Sequence, residues 1–192
     1  NGIDEAYFRQ GAAGAGVSAS TGIPGPYLLY LGDLTWRKNV WKLAQAYLRL
    51  PERLRGSVRF AFTGKGPLRA RIEAAFRKAG CAERLSALGV VAREQVPGLL
   101  AGATLFAFPS RFEGFGLPAV EAQACGVPVL CGDNTSLPEV TGGDAKLVDV
   151  TDVRALTAAL ASLLDDGAER ARLAEAGRRN AARFTWRRAA DA

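Results

Sequence analysis

The sequence predicts an α/β domain whose sheet is parallel and covered by helices on both faces. Two observations carry that expectation. Short apolar runs alternate with amphipathic segments from Tyr27 to Asp165, which is the pattern of strands joined by helical crossovers. The chain is also large enough: a domain of 192 residues, 48% of them hydrophobic and 23% charged, buries roughly 70% of the surface its unfolded form exposes and needs no disulfide or metal staple. Right-handed crossovers then make the sheet doubly wound and Rossmann-like, with about six strands.

Residues 1–26, NGIDEAYFRQGAAGAGVSASTGIPGP, are rich in Gly, Ala, Ser and Pro and show neither the helical nor the strand period. They read as an interdomain linker, and the ordered domain, 27–192, is expected to begin near Tyr27. Strands are expected to start near Leu28 in YLLYLG, Val58 in VRFAFTG, Arg84 in RLSALGVV, Thr104 in TLFAFPS, Val127 before PVLCG, and Lys146 in AKLVDV. Between them VWKLAQAYLRL, PLRARIEAAFRKAG, EQVPGLLAGA, LPAVEAQACG and VRALTAALASLLDD read as helices, and LPEV as a short turn. From Gly167 onward the pattern gives one helix before Thr185 and another after it, with Thr185 as the N-cap.

Composition narrows the function. The net charge is +6, but the arginines are spread along the chain rather than gathered in one patch, which argues against nucleic acid. A phosphate-bearing ligand, or peripheral membrane contact by a full-length protein, remains compatible with that charge. No apolar run approaches the roughly 20 residues of a membrane span, and no signal peptide opens the chain, so a cytoplasmic location is expected. The absence of histidine removes the commonest general base and metal ligand together. Cys81, Cys125 and Cys131 fit neither a disulfide framework nor a Cys-x-x-Cys metal site and point to a reducing compartment. Neither a metal nor a bound cofactor is expected. With no methionine, even at position 1, the chain reads as an excised piece.

In a doubly wound sheet, ligands bind outside the carboxyl ends of the strands, so the loops there matter most. After YLLYLG, Arg37 and Lys38 stand at an expected helix start, where cations oppose the helix dipole unless an anion sits there too. After VRFAFTG, Gly64-Lys65-Gly66 with Pro67 reads as a tight strand-to-helix turn, and it lacks the third glycine and distant acid of a dinucleotide fingerprint. After TLFAFPS comes RFEGFGLPAVEAQACGVPVL. Pro118 reads as the first helical residue, Gly114 and Gly116 let backbone approach a ligand, and the amides of Phe115, Gly116 and Leu117 form an anion site.

Glu113 and Glu121, with seven residues between them, bracket those amides. Beside a phosphate a carboxylate needs another ligand, and vicinal hydroxyls are the natural one, at roughly 1.5 to 3 kcal/mol per charge-assisted hydrogen bond. A phosphate between two polyol binders describes a nucleotide sugar. The alternative, a solvent-facing Glu121 and a loop Glu113, stays open at this level.

PSRFEGFGLPAVEAQACGVPVL closely resembles the motif of two glutamates with seven residues between them in retaining GT-B glycosyltransferases of family 4. YLLYLGDLTWRKN, TGKGP, NTSLPEVTGGDAKLVDVTD and NGIDEAYF resemble further segments of that family, so the likeness covers nearly the whole chain. It implies the C-terminal, donor-binding half of a two-domain enzyme whose missing N-terminal domain holds the acceptor. By that resemblance Glu121 would hold the ribose, Glu113 a donor-sugar hydroxyl near the anomeric carbon, and Lys38 the diphosphate, with Glu113 and Lys38 carrying catalysis. The backbone of Val90 and Val91 would meet the base, and Gly32, Arg37 and residues Gly114 to Leu117 would complete the donor site. The resemblance also implies transfer from a nucleoside diphosphate sugar to an acceptor hydroxyl with retention and no metal.

Asp33 stands where many relatives have a phosphate-binding arginine, and Arg37 is the candidate replacement. Ser136 and Glu139 match a capping box. A non-catalytic nucleotide or nucleotide-sugar binding module is the competing reading, and a Rossmann oxidoreductase is disfavoured by the incomplete glycine fingerprint.

Overall fold

A computed structural model describes residues 2–12 and 22–190. Strands β1 (Tyr27–Tyr30), β2 (Arg59–Thr63), β3 (Leu85–Gly89), β4 (Leu105–Phe108), β5 (Val129–Gly132) and β6 (Lys146–Val148) form one parallel sheet in the order β3-β2-β1-β4-β5-β6. Every expected strand start lies within two residues of an observed one. The helices are α1 (Glu5–Ala12), α2 (Val40–Leu48), α3 (Glu52–Ser57), α4 (Arg69–Lys78), α5 (Val96–Ala101), α6 (Leu117–Ala124), α7 (Leu137–Val140), α8 (Val153–Asp165), α9 (Gly167–Ala181) and α10 (Trp186–Ala190).

Alternate residues of each strand feed two cores. Leu28, Tyr30, Phe60 and Phe62 pack with α2, α4 and α8, where Tyr47, Phe60 and Phe76 stack at 5.4 to 5.7 Å between ring centroids. Tyr27, Leu29, Phe106 and Phe108 face the other way, onto Tyr7 of α1, Leu99 and Leu100 of α5, and Val120 of α6. Burial on both faces is why the strands read as continuous apolar runs rather than as an alternation. Sequence order runs outward in both directions from β1 and β4, which pair through Leu28 and Leu105, so a ligand crevice is expected at their carboxyl ends.

The ordered domain begins earlier than Tyr27. Ile3 and Tyr7 are buried, and α1 packs on α5 and α6. Asp4 starts that helix, its carboxylate accepting the amide of Ala6 at 2.9 Å. A helix of eight residues with one deeply buried aromatic is too short to display a 3.6-residue period, which is why the segment reads as linker. Part of the expected linker, residues 13–21, lies outside the described residues. Helix α3, opened by Pro51, is a second element that the pattern did not reveal. Thr185 does cap α10, its hydroxyl accepting the amide of Arg188 at 3.3 Å. Among the described residues no helix is long and apolar enough to cross a membrane.

Candidate functional site

The loops after β1, β2 and β3 and the start of α6 enclose a cleft of about 520 Å³. Gly32, Val90, Val91, Leu117 and Glu121, all expected site residues, line it together with Tyr7, Thr63, Gly64 and Arg93. Its floor depends on close backbone approach. Gly64 has φ +92°, and a Cβ there would lie 2.1 Å from the carbonyl oxygen of Gly32. The Gly64 amide donates to the carbonyl of Gly89 at 2.6 Å, tying the ends of β2 and β3 together. Gly64-Lys65-Gly66 is therefore a structural turn, as its spacing predicts, and Gly64 also forms part of the wall.

Glu121 is half-buried in this wall, which it shares with Tyr7 and Arg93. Burial raises the Glu121 pKa, while the nearby Tyr7 hydroxyl and the charge of Arg93 pull it back. The Tyr7 phenol is pushed well above its ordinary value by burial and by the Glu121 charge. Glu121 is thus not a solvent-facing helix residue. Tyr7 and Arg93 are the site residues that sequence reasoning missed: Tyr7 lies in the helix too short to show a period, and Arg93 has nothing to distinguish it among many arginines.

Beside the cleft, the loops after β1 and β4 bring Arg37, Lys38 and Glu113 together. Lys38 Nζ donates to Glu113 Oε1 at 2.6 Å and lies 5.2 Å from the Phe108 ring centroid. Arg37 Nη1 donates to the carbonyl of Phe112 at 3.0 Å and lies 4.0 Å from the same Glu113 oxygen. The two cations stand at a helix start as expected, directly ahead of its N-cap. They occupy the turn before α2, whose cap Asn39 adopts a left-handed φ of 59° and donates to the carbonyl of Val150 at 2.7 Å. Their charge is directed at Glu113 rather than against the helix dipole.

Gly114, Phe115 and Gly116 form the turn between Glu113 and α6. Gly116 has φ +98° and serves as the N-cap, so α6 begins at Leu117, one residue before Pro118. The first amides of α6 have no partner within the helix, and the turn that carries them follows Glu113 directly in the chain. Phe115 packs edge-on against Phe184, with ring centroids 5.6 Å apart. The expected capping box at Ser136 is absent. Its hydroxyl donates to the carbonyls of Glu113 at 3.0 Å and Phe115 at 2.9 Å, because that turn exposes acceptors its own backbone leaves open. The Glu113 amide donates to the Thr135 hydroxyl at 3.3 Å, so the loop after β5 holds the glutamate from behind. Among the described residues no cluster of three or more His, Cys, Asp or Glu side chains could hold a metal ion.

The model of the family described as glycosyl transferases group 1 matches residues 19–180. The O-antigen chain mannosyltransferase B of Escherichia coli is 38% identical over 161 residues, covering 83% of this chain and 42% of that protein. The GDP-mannose-dependent alpha-(1-6)-phosphatidylinositol monomannoside mannosyltransferase of Mycolicibacterium smegmatis is 33% identical over 162 residues, covering 80% of this chain and 42% of that protein. Among solved structures, sucrose-phosphate synthase from Thermosynechococcus elongatus superposes with a TM-score of 0.79 at 28% identity, over 90% of this chain and 45% of that one. The chain spans less than half the length of these relatives.

Proposed function

The chain belongs to the glycosyl transferases group 1 family, and from that premise we propose that it is the donor-binding domain of a retaining glycosyltransferase that moves a sugar from a nucleoside diphosphate sugar to an acceptor hydroxyl. The observation that carries this reading is the placement of Glu121 in the cleft and of the Lys38–Glu113 pair beside it, on either side of the α6 N-terminus.

In this reading the base lies against Val90 and Val91, and Glu121 accepts the ribose hydroxyls. The diphosphate meets Lys38 and the first amides of α6, and the donor sugar lies near Glu113. When the bond between the anomeric carbon and the phosphate oxygen breaks, negative charge grows on the departing diphosphate. Lys38 and the helix N-terminus already face that charge, so they offset it without reorganisation and without a metal. The mannosyl relatives make GDP-mannose the first donor to test. The acceptor site is assigned to a further domain opposite this face, in a protein working in the cytoplasm with peripheral membrane contact.

Calorimetry of the 192-residue chain against GDP-mannose, UDP-glucose and ADP-glucose tests donor binding. Comparing sugar transfer by this chain with transfer by one extended upstream separates an enzyme half from a binding module. Binding of a donor by this chain, with transfer only by the longer one, is expected. Absence of transfer by both would favour the module, and absence of donor binding would overturn the reading.

A further inference from the structure

We propose that the cavity over the carboxyl ends of β4, β5 and β6 is an acceptor subsite for an uncharged polyhydroxylated molecule, a saccharide, lying next to the donor sugar. The inference rests on the donor-site reading and deepens it, because this domain then supplies one wall of the acceptor site as well.

The cavity measures about 300 Å³, at the lower end of the range for small-ligand sites. It is lined by Arg111 from the loop after β4, Asp133 and Asn134 from the loop after β5, and Asp149, Val150 and Thr151 from the loop after β6. These side chains suit hydroxyls: carboxylates accept, a guanidinium donates, and an amide does both. No hydrogen bond or ion pair to the Arg111 guanidinium or the Asp133 carboxylate is made by the described residues, so the two share a cavity without neutralising one another. Asp149 Oδ1 accepts from the Thr151 amide at 2.8 Å and from the Thr151 hydroxyl at 2.7 Å. Those bonds fix the carboxylate and leave about two of its four lone-pair directions for a ligand. With two carboxylates against one guanidinium, the cavity favours a neutral polyol over a phosphate.

Position carries the acceptor role. Along the carboxyl edge of the sheet, the cleft with Glu121 lies at the loops after β3, β2 and β1, the Lys38–Glu113 pair at those after β1 and β4, and this cavity at those after β4, β5 and β6. Nucleoside, diphosphate and sugar follow that order in the donor reading, so the cavity comes next after the sugar. Its walls are tied to the same residues. The Arg111 amide donates to the carbonyl of Arg37 at 3.0 Å, and the side chain of Asn39, next to Lys38, donates to the carbonyl of Val150 at 2.7 Å. The Asn134 side chain donates to the carbonyl of Ser110 at 3.2 Å, and the following residue, Thr135, accepts the Glu113 amide. The two ends of the described chain do not line the cavity. The Ile3 amide donates to the carbonyl of Phe184 at 2.8 Å and Ile3 forms a parallel bridge with Thr185, which clasps both ends on the α5–α6 side.

The test follows backbone amide shifts of the isotope-labelled 192-residue chain by NMR as methyl α-D-mannopyranoside, methyl α-D-glucopyranoside or mannose 6-phosphate is added, with calorimetry of GDP and UDP on the same samples. Saturable shifts centred on Arg111, Asp133, Asn134 and Thr151 with a neutral hexoside, and no tighter binding of the sugar phosphate, are expected. Asp133→Ala changes an exposed loop position. It should weaken the hexoside about threefold to tenfold and keep nucleotide affinity within about twofold of the parent.

No saturable shift with either hexoside, shifts confined to the Glu113–Gly116 turn, or tighter binding of mannose 6-phosphate would each overturn the subsite. Nucleotide binding by the same samples would leave the donor-site reading standing in those cases. If a hexoside binds at the cavity and neither nucleotide binds the chain, the donor-site reading falls and the acceptor role falls with it.

Discussion

Lys38 and Glu113, 75 residues apart in sequence, are joined by a 2.6 Å hydrogen-bonded ion pair across the loops that follow β1 and β4. Their side chains retain only 15% and 11% of their exposure, so each charge relies on the other for much of the solvation it has lost. In the proposed reading, a donor entering this site would exchange that pairing for contacts with phosphate and sugar. The site is thus charged and ordered before the ligand arrives.

Removing one partner should leave the other charge unpaired. Lys38→Ala is expected to cost about 1 to 3 kcal/mol of stability in urea unfolding, softened by Arg37 nearby, and Lys38→Met combined with Glu113→Gln should recover part of the loss. In calorimetry Lys38→Ala should weaken a nucleoside diphosphate more than the nucleoside, since a point charge acts on phosphate and not on base or ribose. Equal losses for the two ligands would make Lys38 a structural residue only.

Asp33 is exposed, and its backbone carbonyl accepts from the Tyr30 hydroxyl at 2.8 Å and from the Thr35 amide at 3.0 Å, while no hydrogen bond to its side chain is made by the described residues. Asp33→Arg should therefore keep the loop and add a cation near the phosphates. Diphosphate affinity is expected to rise about threefold to tenfold at low salt and to fall back as ionic strength increases. A weaker complex would show that the Asp33 side chain has a ligand role of its own.

The glycines of the two loops should behave differently. Gly64→Ala sets a Cβ against the Gly32 carbonyl at a positive φ, and about 3 kcal/mol or more should be lost, visible as a large drop in Tm. A Cβ on Gly114 meets nothing within 4 Å, so Gly114→Ala should stay within about 0.5 kcal/mol of the parent. The reverse order in thermal melts would contradict the loop geometry.

Cys125 and Cys131 are buried, and burial pushes both thiols up to about 12, while Cys81 is shifted upward for the same reason. Little thiolate exists at neutral pH, so alkylation by iodoacetamide should be slow in buffer and accelerate only with denaturant, in step with the unfolding transition. Rapid labelling of any of the three in buffer would reveal local opening.

The inner strands β2, β1, β4 and β5 were legible because they are buried on both faces and written as apolar runs, whereas the half-buried edge strands β3 and β6 were legible from their place in the alternation with helices. The glycine turn bracketed by Glu113 and Glu121 was legible because a glycine at positive φ followed by a proline marks the start of α6. Other parts of the site depend on three-dimensional proximity that no local pattern encodes. Ser136 matches a capping box in spacing, yet its hydroxyl is drawn to the carbonyls of a loop more than 20 residues upstream. Lys38 and Glu113 were each identifiable as site residues, but their attachment to one another was not. Tyr7 sits on a helix of eight residues whose burial comes from the surface it lands on.

The bridge between Ile3 and Thr185 is parallel, which determines how the domain carries mechanical load. Tension applied at the two ends draws these segments along each other in opposite directions, so the Ile3–Phe184 hydrogen bond is sheared rather than peeled. Gly2 lies so close to Trp186 that a Cβ on it would stand 2.6 Å from the Trp186 backbone, and this contact resists the same sliding. The first yield point under tension therefore lies at this clasp, and the parallel sheet comes under load only after it has given way.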